Sequence, residues 1–113
     1  MAVLNDLIFE TKIRSTAQAL GIEITVVRSL SDIDSTLSRV NPCLLIVDLN
    51  TAGADAVSAG NAHVPRPFVV AYVSHVDQAL AKQAAEAGAD QVMPRSRFTA
   101  ELPQLLQTYG APA

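Results

Sequence analysis

The sequence predicts an α/β domain in which a parallel sheet of five strands lies between two layers of helices. Three observations point there. Half of the 113 residues are apolar but only 4% are aromatic, so the core is built from Val, Ile, Leu and Ala, the usual filling between parallel strands and covering helices. Short apolar runs end abruptly in a polar residue, as in Leu44-Leu45-Ile46-Val47 before Asp48 and Phe68-Val69-Val70-Ala71-Tyr72-Val73 before Ser74, the signature of strands covered on both faces. Helical patterns separate these runs, and such alternation implies right-handed crossovers between parallel strands.

Taken in order, Ala2-Val3-Leu4 is the first strand, stopping at Asn5-Asp6. Phe9, Ile13, Ala17 and Leu20 recur at helical spacing, and Gly21 stands where a left-handed cap belongs. Ile24-Thr25-Val26-Val27 is the second strand; Ile33, Leu37 and Val40 mark a second helix behind Ser31-Asp32-Ile33-Asp34, closed by Asn41-Pro42. The third strand ends at Asp48. Residues 50–67, with glycines, small side chains and Val64-Pro65-Arg66-Pro67, predict a weak or short helix followed by an extended connector. After the fourth strand, Val76, Leu80, Ala84 and Ala87 form a stripe terminated by Gly88, with Ser74-x-x-Asp77 as a capping box. Gln91-Val92-Met93 is the fifth strand, and a last helix is expected from Thr99 to Tyr109, with Pro103 in its first turn.

The whole chain, residues 1–113, is expected to be one domain, since a second core would not fit. Eight basic against eleven acidic side chains, net charge −3 and spread along the chain, give no positive field for nucleic acid. No apolar run approaches the roughly 20 residues that span a bilayer, and no secretion signal is present; no membrane partner and a cytoplasmic location are expected. Cys43, the one cysteine, is expected to be a buried free thiol.

In a parallel sheet of this kind, ligands and reacting groups gather at the carboxyl ends of the strands. The polar residues ending the strands are Asn5, Asp6, Asp48, Ser74 and Arg95. An acid after strand one, Asp48 after strand three, a hydroxyl after strand four and a cation after strand five together resemble the active site of response-regulator receiver domains. The likeness runs from Val3 to about Leu106, and its clearest marks are Leu45-Ile46-Val47-Asp48 and Ala87-Gly88-Ala89-Asp90. It implies a flavodoxin-like sheet in the order 2-1-3-4-5. It also implies Asp48 as phosphoryl acceptor, Mg²⁺ held by Asp6, Asp48 and the Asn50 carbonyl, and Ser74 and Arg95 on the phosphoryl oxygens.

The departures point to an atypical, pseudo-receiver member. Asn5-Asp6 stands where receivers have two acids, so a metal ligand is missing and Mg²⁺ binding is weakened. Arg95 stands near the family's lysine with no proline after it, and a planar guanidinium does not replace a compact ammonium at a tight phosphate site. Val92 corresponds to the aromatic switch residue, and Leu49-Asn50-Thr51-Ala52-Gly53 replaces the usual Met-Pro-Gly-like turn.

Each residue also carries a plainer reading. Asp48 is either an acceptor or an acid paired with Arg95 or with backbone N–H groups; Asp6 is either a metal ligand or the cap of the first helix. Ser74 either contacts an anion or caps the fourth helix. His75 and Asp77 lie two apart, do not face each other on a helix and lack a third metal ligand, and His63 is expected to be solvated. Arg95 and Arg97 either grip an anion or acidic partner or are ordinary solvated charges. The leading expectation is a stand-alone signalling module, not an enzyme. It would act through the face of the fourth helix, fifth strand and fifth helix on a histidine kinase, a downstream effector or a second copy in a symmetric homodimer. The alternatives are a phosphoryl-accepting, Mg²⁺-dependent receiver of a two-component phosphorelay, and a small-anion binder at the same rim.

Overall fold

A computed structural model describes residues 1–74 and 77–110; His75 and Val76, which the sequence places at the start of the fourth helix, lie outside the described residues. Five strands, β1 (Ala2–Val3), β2 (Val26–Val27), β3 (Leu44–Asp48), β4 (Phe68–Val73) and β5 (Gln91–Pro94), form one sheet in the order β2-β1-β3-β4-β5. Every pairing is parallel. Five helices connect and flank them: α1 (Leu7–Ala19), α2 (Ile33–Val40), α3 (Leu49–Ala62), α4 (Gln78–Glu86) and α5 (Arg95–Tyr109). A 3-10 turn, Leu30–Asp32, leads into α2. The predicted class and strand order are both observed.

Strand alternation sorts the apolar residues into two cores. Val3, Val27, Leu45, Val47, Val69, Ala71 and Val73 pack with Ile33, Leu37, Ala56, Val57 and Ala84 on the α2–α3–α4 side. Ala2, Leu4, Leu44, Ile46, Val70, Tyr72 and Met93 pack with Phe9, Ile13, Ala17, Phe98, Leu102 and Leu106 on the α1–α5 side. All five residues of β3 are buried, as a central strand covered on both faces requires. The same alternation puts Asp48 on the α1–α5 side with Ile46 and Tyr72. Strand order reverses between β1 and β3, so the rim above those two strands is the place where a parallel sheet opens a crevice.

Several elements differ from the sequence expectation. α3 is a full 14 residues and starts directly after Asp48, which caps it. Its continuity is hidden in the sequence by Gly53, at φ 65° and ψ −170°, a conformation essentially confined to glycine that kinks the helix after its first turn. α5 begins four residues early, at Arg95, so that Pro103 lies in its interior instead of its first turn. α4 is capped by Asp77, whose carboxylate accepts from Leu80 N–H, and not by Ser74. Cys43 is exposed, because it precedes the buried run and sits at the open lower edge of the sheet. His63, expected in solvent, hydrogen-bonds Asn41 through Nε2 at 2.8 Å. No helix among the described residues is long and apolar enough to cross a membrane.

Candidate functional site at the carboxyl rim of the sheet

Each of the five helices follows the carboxyl end of a strand, and each leaves backbone N–H groups in need of acceptors. Asp6 meets that need for α1: its Oδ1 accepts from Ile8 N–H at 3.0 Å and Phe9 N–H at 3.1 Å. Its Oδ2 accepts from Nη2 of Arg95, the first residue of α5, at 3.1 Å. The Phe9 N–H, followed by Arg95, holds the Asp6 carboxyl below its ordinary pKa against the smaller opposing effect of burial. The Arg95 guanidinium lies over the Phe9 ring, its Cζ 4.1 Å from the ring centroid, so it is gripped by a carboxylate and a π-face at once.

Asp48 does the same for α3. It is only 5% exposed; Oδ1 accepts from Asn50 N–H at 3.0 Å and Oδ2 from the Thr51 hydroxyl at 3.1 Å. The cation that sequence reasoning offered to Asp48 as a partner, Arg95, pairs with Asp6 instead. Asn50 ties the rim together in another way: its Oδ1 accepts from Ser74 N–H at 2.6 Å, linking the exit of β4 to the first turn of α3. Arg97 is paired along its own helix with Glu101.

Under these polar residues sits an aromatic floor. Tyr72 is the cross-strand partner of Asp48, stacks on Phe98 at 4.6 Å and 18°, and touches Phe9 at 5.1 Å. Its hydroxyl is buried and has no hydrogen-bond partner among the described residues. Burial, and after it the negative charge of Asp48, pushes the phenol well above its ordinary pKa, so it is a neutral hydroxyl at any physiological pH.

The structure therefore joins Asp6 to Arg95 and Asn50 to Ser74, and sets Asp48 beside Tyr72. Sequence reasoning missed Tyr72, Phe9 and Thr51. A signal existed for the aromatics: Phe9 stands three residues after Asp6, Phe98 three after Arg95 and Tyr72 two before Ser74, in a chain with only three Phe and two Tyr.

The donor set suits a hard divalent cation poorly. Mg²⁺ takes six oxygens in near-octahedral geometry, usually one or two carboxylates, other oxygens and waters. Here the outer oxygen of Asp6 already faces a guanidinium, and both oxygens of Asp48 accept from the α3 turn. Asn50 is helical, so its carbonyl follows the helix axis away from the rim. No group of three or more His, Cys, Asp or Glu among the described residues is placed to hold a metal. As arranged, the residues do not fit the metal that the receiver likeness implies.

No family model and no curated protein matches the sequence. Solved structures do resemble it. A response-regulator receiver domain from Bermanella marisrubri superposes with a TM-score of 0.81 at 19% identity, covering 96% of this chain and 93% of that one. An orphan response regulator of H. pylori gives 0.77 at 18%, covering 95% and 92%. An atypical orphan response regulator, described as having a phosphorylation-independent regulatory mechanism, gives 0.74 at 17%, covering 98% and 97%. Together with the strand order and the two-sided helical cover, these likenesses establish that the chain has the fold of response-regulator receiver domains.

Proposed function

We propose that the chain is a receiver-like signalling domain that acts through protein contacts and without standard phosphorylation chemistry. The observation that carries this reading is the condition of Asp48. An aspartyl phosphoryl acceptor needs an accessible carboxylate oxygen beside a cation that neutralises the incoming phosphoryl oxygens. Asp48 is 5% exposed, with both oxygens engaged by the α3 turn, and the nearby guanidinium is committed to Asp6. The likeness to an atypical orphan regulator with a phosphorylation-independent mechanism supports the same view.

The contact surface in this reading is the α4–β5–α5 face. Val73, Ala81, Val92 and Pro94 line an apolar groove there, edged by Asp77 and Gln78. Val92, where receivers carry an aromatic, leaves that groove open. A second copy in a symmetric homodimer, or a protein effector, covers it, and sizing of the purified chain with and without partner separates the two.

A second reading is favoured by the placement of Asp6, Asp48, Ser74 and Arg95 around one rim: a phosphoryl-accepting receiver of a two-component relay, with Asp48 as acceptor. One experiment decides. The protein is incubated with Mg²⁺ and acetyl phosphate and its intact mass is recorded. An unchanged mass is expected. Gain of one phosphoryl group that Asp48→Asn abolishes would overturn the first reading in favour of the second.

A further inference from the structure

The sheet has two lateral edges, and they are not equally protected. β5, on one side, ends in Pro94, which offers no N–H to an incoming strand, and passes at once into α5. β2, on the other side, has no such guard. The carbonyls of Thr25 and Val27 are spent toward β1, accepting from Ala2 N–H at 2.8 Å and Leu4 N–H at 3.1 Å. Strand alternation therefore turns the N–H and C=O groups of Ile24 and Val26 to the outer side, where nothing among the described residues bonds them. A groove of about 510 Å³ runs beside this edge, between Arg14 and Gln18 of α1 and residues 21–25. The side chains of Ile24 and Val26 pack toward the α1–α5 core yet stay only half-buried.

We propose that β2 is a self-pairing edge: residues 24–26 of one copy pair antiparallel with the same residues of a second copy, Thr25 lying on the two-fold axis, and the two five-stranded sheets become one. In this register Ile24 exchanges both its backbone hydrogen bonds with Val26 of the second copy, and the reverse. The segment is self-complementary in its side chains: each half-buried Ile24 gains a Val26 as cross-strand neighbour, under the paired α1 helices. It is self-complementary in charge as well. Glu23 is the one charged residue in 22–27, and Arg28 follows directly. Antiparallel pairing sets Glu23 of one copy across from Val27 and next to Arg28 of the other, at both ends of the contact, whereas a parallel pairing would put like charges together. Arg28 donates through one nitrogen to Glu10 and keeps about half of its side chain exposed, so it has donors to spare. The α4–β5–α5 groove lies at the opposite edge of the sheet and stays open in both copies. The pairing does not depend on the chemistry of Asp48.

The test is sedimentation velocity of the purified chain from about 10 to 500 µM, a range suited to a small interface. Wild type is expected to pass from monomer to dimer across it. Thr25→Lys and Thr25→Glu each set like charges face to face on the axis and are expected to weaken association by at least about tenfold, while their equimolar mixture associates as well as wild type or better. A merely damaged edge would not show that rescue. Amide exchange of Ile24 and Val26 in wild type needs no variant and is expected to slow as concentration rises. A chain that stays monomeric at every concentration would overturn the proposal and leave the edge to an extended segment of another protein. A dimer that both Thr25 variants leave intact would overturn it too, since that association runs through another surface, such as the α4–β5–α5 groove.

Discussion

The two edges of the sheet are built from the same kinds of residue and behave differently. At the carboxyl rim five helices begin, and Asp6, Asp48 and Asp77 each accept N–H groups of a first turn; an acid there is stabilised by capping and by the helix dipole, whatever else it does. At the amino edge the chain instead holds a buried amine, that of Met1, which donates to Leu44 O at 3.0 Å. Met1 lines a cavity of about 210 Å³ with Ile22, Ile24, Cys43, Leu44 and Leu106. Three of the five aromatics lie under the carboxyl rim, and the remaining two, Phe68 and Tyr109, stack face to face at 3.8 Å at the amino edge. The contrast teaches that acids at strand ends are demanded by the helices that follow them. Their presence alone is no measure of phosphoryl chemistry; what separates the roles is whether a carboxylate oxygen remains free.

The largest effect that sharpens this comparison is expected from the aromatics. Phe98 is fully buried and contacts both Phe9 and Tyr72, so Phe98→Ala is expected to cost about 3–5 kcal/mol. Phe68 is only partly buried, and Phe68→Ala should cost less than half of that. Urea unfolding of the two variants side by side checks it; equal losses would mean that the amino-edge stack matters as much as the rim platform.

The next effect separates the edges by pH. Burial, partly offset by Cys43, lowers the Met1 amine from 8.0 to about 6. For a chain with that amine free, the unfolded state binds more protons than the folded state between those two values, so stability rises as pH increases from 6 to 8. The total is about 2–3 kcal/mol for a shift of this size. At the other rim Asp6 has the same sense in a more acidic window: its lowered folded pKa contributes stability that is complete above the ordinary carboxylate value and is lost as acid protonates it. Urea midpoints from about pH 2 to 8.5, a range that spans both windows, would show two separate slopes. A flat response between pH 6 and 8 would contradict the buried amine.

Most of this architecture was legible because the sheet is marked by its endings. β3 and β4 stop at Asp48 and Ser74, and Gly21 and Gly88 close their helices with positive φ, at 72° and 107°. What was hidden lay where one residue serves two purposes. Asp48 reads in the sequence as a chemical group or an acceptor of backbone N–H groups, but Gly53 disguises the full helix whose first turn supplies the Asn50 N–H. Pro103 suggested a late start for α5, but Arg95 had to be inside that helix to reach Asp6. The Asp6–Arg95 pair could not be read from spacing at all, since only the sheet order brings residues 89 apart together. In the sequence Tyr72 is one more member of an apolar strand run; its place opposite Asp48 depends on the β3–β4 register.

Tyr72 provides the smallest and most local test of how the rim differs from the rest of the core. Its hydroxyl is the one polar atom of the aromatic platform, buried beside Asp48 without a partner among the described residues. An unpaired buried hydroxyl costs free energy that its removal recovers, while a phenol donating through an internal water to Asp48 would lose an interaction on the same change. Tyr72→Phe keeps the ring stacked on Phe98 and removes only that oxygen, so the structure calls for a gain of up to about 1 kcal/mol in urea unfolding. A loss of similar size would show that a water joins Tyr72 to Asp48, and that the acid is held from below as well as by the first turn of α3.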